Sequence, residues 1–259
     1  MLKSGTVLKD RYEIKGLLGA GGVSQVYAAY DREGKRTQVI KEIRNYHKDQ
    51  VRVMVQKEAE LIQRLKYPYF PALEEVITGK DVCYLVMEYL EGETLEKILQ
   101  RTGPQSQEDV VCWAKDMCLV LGYLHNCKPP VIYRDMKPGN IMLQPGGNLR
   151  LIDFGGVWEK RNGQKIPEVS LGTKGYAAPE QLAGEEVDAR TDIYGLGVTM
   201  YHLLTGKDPR QFPCEQYGIR RWNRRLSRKL EKIIQTCTRK NPKERYDSCE
   251  ELLSVLKTV

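Results

Sequence analysis

Asp135, Lys137 and Asn140 stand together in one short turn, and Asp153 closes the next apolar run of the chain. A carboxylate such as Asp135 can orient a hydroxyl group and accept its proton. The amide oxygen of Asn140 and the carboxylate of Asp153 are hard oxygen ligands of the kind Mg²⁺ takes. An ammonium between them, Lys137, can meet the negative charge of a phosphoryl group in transfer. A lysine within an apolar strand pattern, Val39-Ile40-Lys41, and a glycine-rich run, Gly19-Ala20-Gly21-Gly22-Val23-Ser24, could add contacts to phosphate oxygens. Taken singly, each has a plainer reading: a charged surface turn, an exposed strand lysine, a hairpin.

The flanking pattern decides how these groups could be held. Val131-Ile132 and Ile141-Met142-Leu143 read as short buried strands on either side of the turn, and Pro138-Gly139 is expected to keep the turn out of a helix. Asn148 to Ile152 reads as a strand paired back through Pro145-Gly146-Gly147, so that Asp153 falls beside Asn140. Arg11 to Leu18 and Gln25 to Tyr30 read as strands around the glycine run, which argues against a dinucleotide-binding βαβ unit, and no G-x-x-x-x-G-K-[ST] is present. Thr37 to Ile43 is the strand carrying Lys41. Asp49 to Lys66 has helical periodicity, with Val51, Met54, Val55, Ile62 and Leu65 on one stripe. Glu58 lies on that stripe and Glu60 about 200° from it. An inward carboxylate needs a partner, and Lys41 is the candidate. Val82 to Met87 is a further strand. Ser106 to His125 reads as a helix opened by a capping box to Asp109, with His125 structural rather than catalytic. Trp158 to Val169 reads as a mobile loop. Asp188 to Leu204 is a buried helix, followed by amphipathic helices over Leu226 to Cys237 and Ser248 to Leu256.

In this order the motifs resemble the eukaryotic-type Ser/Thr protein kinases, most of all their bacterial members. The catalytic loop of that family appears as Tyr133-Arg134-Asp135-Met136-Lys137-Pro138-Gly139-Asn140, with Tyr133 at the usual His position; Asp153-Phe154-Gly155 and Ala178-Pro179-Glu180 match the D-F-G and A-P-E motifs. Ser24 in place of the last glycine of the glycine-rich loop, and Val39 in place of the usual Ala, are departures.

The resemblance implies an α+β, bilobal fold: a β-rich N-lobe over residues 1–87 with one key helix, a hinge at 88–92, and a mainly helical C-lobe over 93–259. It implies ATP and Mg²⁺ as cofactors, Mn²⁺ being a substitute, with ATP held between the lobes. Lys41 would hold the α and β phosphates and be positioned by Glu58. Asn140 and Asp153 would hold the metal, Asp135 would orient the acceptor hydroxyl, and Lys137 would stabilise the γ-phosphoryl. ATP would also meet Leu18, Gly19, Ala20, Gly21, Gly22, Val26, Val39, Met142, Met87 as gatekeeper, and the backbone of Glu88 and Leu90. Thr173 would contact Asp135 and Lys137. Ser170, and secondarily Thr173, are the candidate phosphosites, with Arg134 as the phosphate's partner. Phe154, Asp192 and the pair Glu180–Arg245 would be structural or regulatory. The activity implied is transfer of phosphate from ATP to Ser/Thr of protein substrates, with activation-loop autophosphorylation. The alternatives are a nucleotide-binding pseudokinase scaffold and a small-molecule phosphotransferase.

Composition narrows the setting. The chain has 259 residues, 41% of them hydrophobic and 29% charged, enough for one substantial domain or two small lobes. No apolar run is long enough for a membrane span, and the N-terminus has no signal-like apolar core. Seven scattered Cys without C-x-x-C spacing argue against a zinc site or a disulfide framework and fit a reducing, cytoplasmic location. The net charge is +7, and residues 210–240 hold ten Lys or Arg against Glu215 and Glu231. That segment is either a solvated surface or a docking patch for an acidic partner or anionic surface. Aromatic interleaving, as by Tyr217 and Trp222, is thin there, which makes nucleic acid the least favoured partner.

Overall fold

Alternating apolar and polar residues in the first third of the chain build an antiparallel sheet. In the computed structural model, which describes residues 1–20, 24–65, 68–159 and 172–259, the strands β1 (Val7–Leu8), β2 (Tyr12–Ala20), β3 (Ser24–Asp31), β4 (Arg36–Arg44), β5 (Leu73–Thr78) and β6 (Val82–Glu88) form one sheet in the order β1-β2-β3-β4-β6-β5. The period-2 rule sorts their side chains. Tyr12, Ile14, Tyr27, Ala29, Ile40 and Val86 pack as one cluster on one face. Val26, Val39, Lys41, Leu85 and Met87 alternate with them and take the other face, with Val26 opposite Lys41 and Val39 opposite Met87. Helix α1 (Asp49–Arg64) completes this unit, burying Val55, Glu58, Ala59, Leu61 and Ile62.

The chain divides into two compact units, Met1–Glu91 and Gly92–Val259. The second unit is mainly helical. Its helices are α2 (Leu95–Thr102), α3 (Gln107–His125), α4 (Pro179–Leu182), α5 (Ala189–Thr205), α6 (Ile219–Trp222), α7 (Arg228–Cys237) and α8 (Cys249–Leu256). Side-chain caps set their starts: Thr94, Ser106, Asp188, Ser227 and Ser248 each accept a first-turn amide. The Ser106–Asp109 box forms, with the Asp109 amide bonded to Ser106 Oγ at 3.0 Å. Helix α5 is the buried axis of the unit and contacts α3 and α7. Two glycines let it come close to its neighbours: a Cβ at Gly197 would lie 2.6 Å from Cys237 Cβ, and one at Gly195 would lie 3.1 Å from Met136 Cβ.

Short strands frame the loop of interest. Strand β9 (Ile141–Leu143) lies between β7 (Glu93–Thr94) and β10 (Leu149–Leu151), while β8 (Val131–Ile132) pairs with β11 (Trp158–Glu159). The two apolar runs flanking the turn therefore belong to different sheets. Two expectations are corrected. Pro138–Asn140 does form a single turn of 3₁₀ helix, because proline is tolerated at the first helical position, where its missing N–H costs no bond. Trp158-Glu159 is a strand, not loop; two residues are too few for a period to show in sequence. The rest of the expected loop lies outside the described residues. Strands β1, β5 and β7 and helices α2, α4 and α6 are additional to the elements read from sequence.

Candidate active site

Asp192, at the buried start of α5, fixes the backbone that carries Asp135. Its Oδ2 accepts the Tyr133 amide at 2.8 Å and its Oδ1 the Arg134 amide at 2.7 Å. Arg134 has φ +65°, a conformation that strains an L-residue. Its carbonyl is held by Gln181 Nε2 at 2.9 Å, and Thr199 Oγ1 donates to the Met136 carbonyl at 3.2 Å. Ile152 donates its amide to the Asn140 carbonyl at 3.1 Å, so Asp153 follows directly on a residue tied to Asn140.

On this frame the polar side chains converge. Asn140 Nδ2 donates to Asp135 Oδ2 at 2.8 Å and to the Asp135 carbonyl at 2.9 Å. Lys137 Nζ lies 3.0 Å from Asp135 Oδ2. Thr173 Oγ1 donates to Asp135 Oδ1 at 2.7 Å and accepts from Lys137 Nζ, also at 2.7 Å. Asp153 Oδ1 accepts the Gly155 amide at 3.1 Å. Because Asn140 spends its NH₂ on Asp135, its acceptor oxygen is the atom left for a cation. An amide oxygen and a carboxylate are the donor set that Mg²⁺ takes when phosphates supply further oxygens.

The loop is backed by aromatic packing and buried charge. Tyr133 is fully buried, its ring edge-to-face with Phe154 at 6.0 Å. Burial, with Asp153 and Asp135 nearby, pushes its phenol well above the usual range, so it stays neutral. Arg134 is 5% exposed, donates Nε to the Gly156 carbonyl at 2.7 Å and stacks over Trp158. Burial lowers its pKa to about 10, against the pull of Asp192 and Asp135. Ser170, the phosphate-bearing partner expected for it, lies outside the described residues.

Glu180 and Arg245 form a buried bidentate pair at 2.7 and 2.8 Å. Arg245 also donates to the carbonyls of Arg239, Arg190 and Lys240, which employs all five of its N–H groups. Burial alone would raise the Glu180 pKa; the Arg245 bonds, with Thr191, outweigh it and the net shift is downward.

In the first unit, Lys41 Nζ lies 2.7 Å from Glu58 Oε1, both side chains being under a tenth exposed. Glu60 is exposed. Val26, Val39 and Met87 share the Lys41 face of the sheet, and Leu18 stands 42% exposed. Gly19 and Ala20 belong to β2 rather than to a loop, with open space where a Gly19 Cβ would stand; Gly21 and Gly22 lie outside the described residues. Glu88 ends β6, Leu90 is buried, and Met142 sits on β9 opposite Arg150 and Thr94.

One positioning residue escaped the sequence reading, and a second was read there only as structural. Gln181 holds the Arg134 carbonyl from 47 residues away, which no local pattern announces. His125 Nε2 lies 2.7 Å from Asp192 Oδ2 and so braces the aspartate that braces the loop; its place at the end of α3 was the only cue.

Residues 12–256 match the protein kinase domain family. This chain belongs to that family. Among curated relatives it is 34% identical to serine/threonine-protein kinase F of Synechocystis sp., over 96% of this chain and 55% of that protein. It is 29% identical to serine/threonine-protein kinase PrkC of Bacillus subtilis, over 98% and 41%. It is 30% identical to serine/threonine-protein kinase PknB of Mycobacterium tuberculosis, over 95% and 42%. The chain thus spans about half or less of these relatives' length. The fold is also that of the crystallised Mycobacterium tuberculosis PknI kinase domain, with TM-score 0.76 at 22% identity over 100% of this chain and 99% of that one. The kinase domain's seven cysteines carry free thiols, and no helix among the described residues is long and apolar enough to cross a membrane.

Proposed function

We propose that this kinase domain transfers the γ-phosphoryl group of ATP to serine or threonine hydroxyls of proteins. The observation that carries the proposal is the cluster around Asp135: one carboxylate oxygen already receives an aliphatic hydroxyl, that of Thr173, while Lys137 lies against both. The same carboxylate suits a substrate hydroxyl, whose proton it would accept as the oxygen attacks the γ-phosphorus and the bond to ADP breaks. Lys137 would offset charge on the phosphoryl oxygens during transfer. Lys41, held by Glu58, would bind the α and β phosphates. Asn140 and Asp153 would hold Mg²⁺, or Mn²⁺ in its place, which when bound neutralises phosphate charge. Leu18, Val26, Val39, Met87 and Met142 would contact the nucleotide base, with the hinge backbone at Glu88 and Leu90. A cytoplasmic setting suits the free thiols.

Incubation with radiolabelled Mg-ATP, a generic protein acceptor and, separately, a panel of small alcohols tests this reading. Label on serine or threonine of protein is expected. Label only on a small alcohol would replace it with a small-molecule phosphotransferase, and nucleotide binding without any transfer would replace it with a scaffold.

A further inference from the structure

The second unit carries a surface on which positive charge predominates. Arg221, Arg224, Arg225, Arg228 and Lys232, on and between α6 and α7, are exposed. Among the described residues none of them is tied up in a salt bridge. The two acids of this stretch are both engaged: Glu231 Oε1 accepts the Arg220 amide at 2.9 Å, and Glu215 accepts the Tyr194 hydroxyl. The arrangement runs against local helix energetics. Arg228 and Lys229 share the first turn of α7, where the helix dipole favours anions, with Glu231, and Arg224 and Arg225 precede them. Like charges this close repel each other.

We infer that this face docks an acidic segment of a protein substrate. The inference rests on the kinase reading for the word substrate, though not for the binding itself. Arg221, Arg224, Arg225 and Arg228 present a planar fork that matches carboxylates bidentately. Arg221 is further preordered by stacking over Tyr217 at 5.1 Å and Trp222 at 5.8 Å. A membrane surface fits less well, because no large hydrophobic side chain of the patch is exposed to enter the lipid. A docking segment held here would raise the local concentration of its attached hydroxyl near Asp135 without touching the chemistry.

The test measures fluorescence anisotropy of a labelled peptide of alternating Glu and Gly against the full chain, beside a Gln–Gly control. The variants are Arg224→Gln/Arg225→Gln/Arg228→Gln and the corresponding triple change to Glu, both surface changes that should not lower the thermal melt. The acidic peptide should bind and the control should not, with affinity falling about tenfold or more on charge reversal and weakening as salt rises through ~0.1 M, where the Debye length is about 10 Å. An acceptor peptide with an acidic tail should then show a lower KM than the same peptide without it, kcat being equal, in the wild type only. Equal binding of both peptides, affinity unchanged in the Glu variant, or tighter binding to phosphatidylserine vesicles or RNA than to the acidic peptide would overturn the inference. Failure of phosphate transfer with selective peptide binding intact would count against the kinase reading alone.

Discussion

Thr173 donates its hydroxyl to Asp135 Oδ1 at 2.7 Å from 38 residues away in the chain. Since Thr173 Oγ1 also accepts from Lys137 Nζ, one hydroxyl sets the separation between a carboxylate and an ammonium. Each side chain could otherwise adopt other rotamers, and Thr173 restricts both.

Removing that hydroxyl tests its positioning role. Thr173→Ala deletes one bond to a carboxylate and one from an ammonium, each of a type worth roughly 1.5–3 kcal/mol. Compensation by the direct Lys137–Asp135 contact at 3.0 Å should limit the loss. A fall in kcat of about tenfold or more is expected, with Thr173→Ser restoring most of it and KM for ATP little changed. Steady-state kinetics on the three proteins would decide this; equal loss in Ser and Ala variants would contradict it.

Glu180 and Arg245 should prove structural. Both are 5% exposed, so Arg245→Met leaves a buried carboxylate without its main partner, a change that costs about 3–5 kcal/mol. For a domain of this size that lowers the melting temperature by on the order of 10 °C. The pH dependence follows from the sign of the shift. Glu180 is held below its ordinary value of 4.5 in the fold, so its stabilisation is present above about 4.5 and fades as pH falls through the folded value. Calorimetry of the variant should show both a lower melt and a shallower acid limb.

His202 supplies a second pH effect nearer neutrality. Burial lowers its pKa below 6.5, only partly opposed by Asp208, and its Nδ1 shares a hydrogen bond with the Tyr176 hydroxyl in the segment before Ala178-Pro179-Glu180. The unfolded chain protonates this histidine near 6.5 while the native state resists, so stability is full above about 6.5 and declines below it. Urea midpoints at about pH 7.5 and 5.5 should differ more in the wild type than in His202→Gln.

Lys41→Met separates binding from folding in the first unit. It strips the cation from a pair whose carboxylate side chain is 4% exposed, so the sheet-and-helix unit should lose stability. Glu58→Gln with Lys41→Met should recover part of that stability and none of the ATP affinity. Melting curves and nucleotide titration of the single and double variants would show it.

The sequence made some of this legible and not the rest, for physical reasons. Helix period alone separated Glu58 from Glu60, because a buried stripe repeats every 3.6 residues. Capping chemistry placed Ser106 and Asp109, a local signal three residues long. Asp192, Glu180 and Arg245 were legible only through family resemblance, since their partners are far away in sequence. Gln181 had neither kind of signal, and His125 only its place at the end of α3. A side chain bonded to a distant carbonyl leaves no period and no motif. Helix α2 was within reach, as Thr94 is a good cap and Leu95 and Leu99 share one buried face. The β8–β11 pair was not, because two-residue strands have no alternation to read.

The most direct measurement of the central claim is intact-mass spectrometry of the wild-type chain and Asp135→Asn after incubation with Mg-ATP and a protein acceptor, with nucleotide affinity measured alongside. The wild type should add phosphate to serine or threonine. The variant should bind ATP about as well and transfer at least roughly a hundredfold more slowly, the usual scale for loss of a general base. Transfer by Asp135→Asn at a rate near that of the wild type would contradict the role assigned to Asp135 and the mechanism built on it.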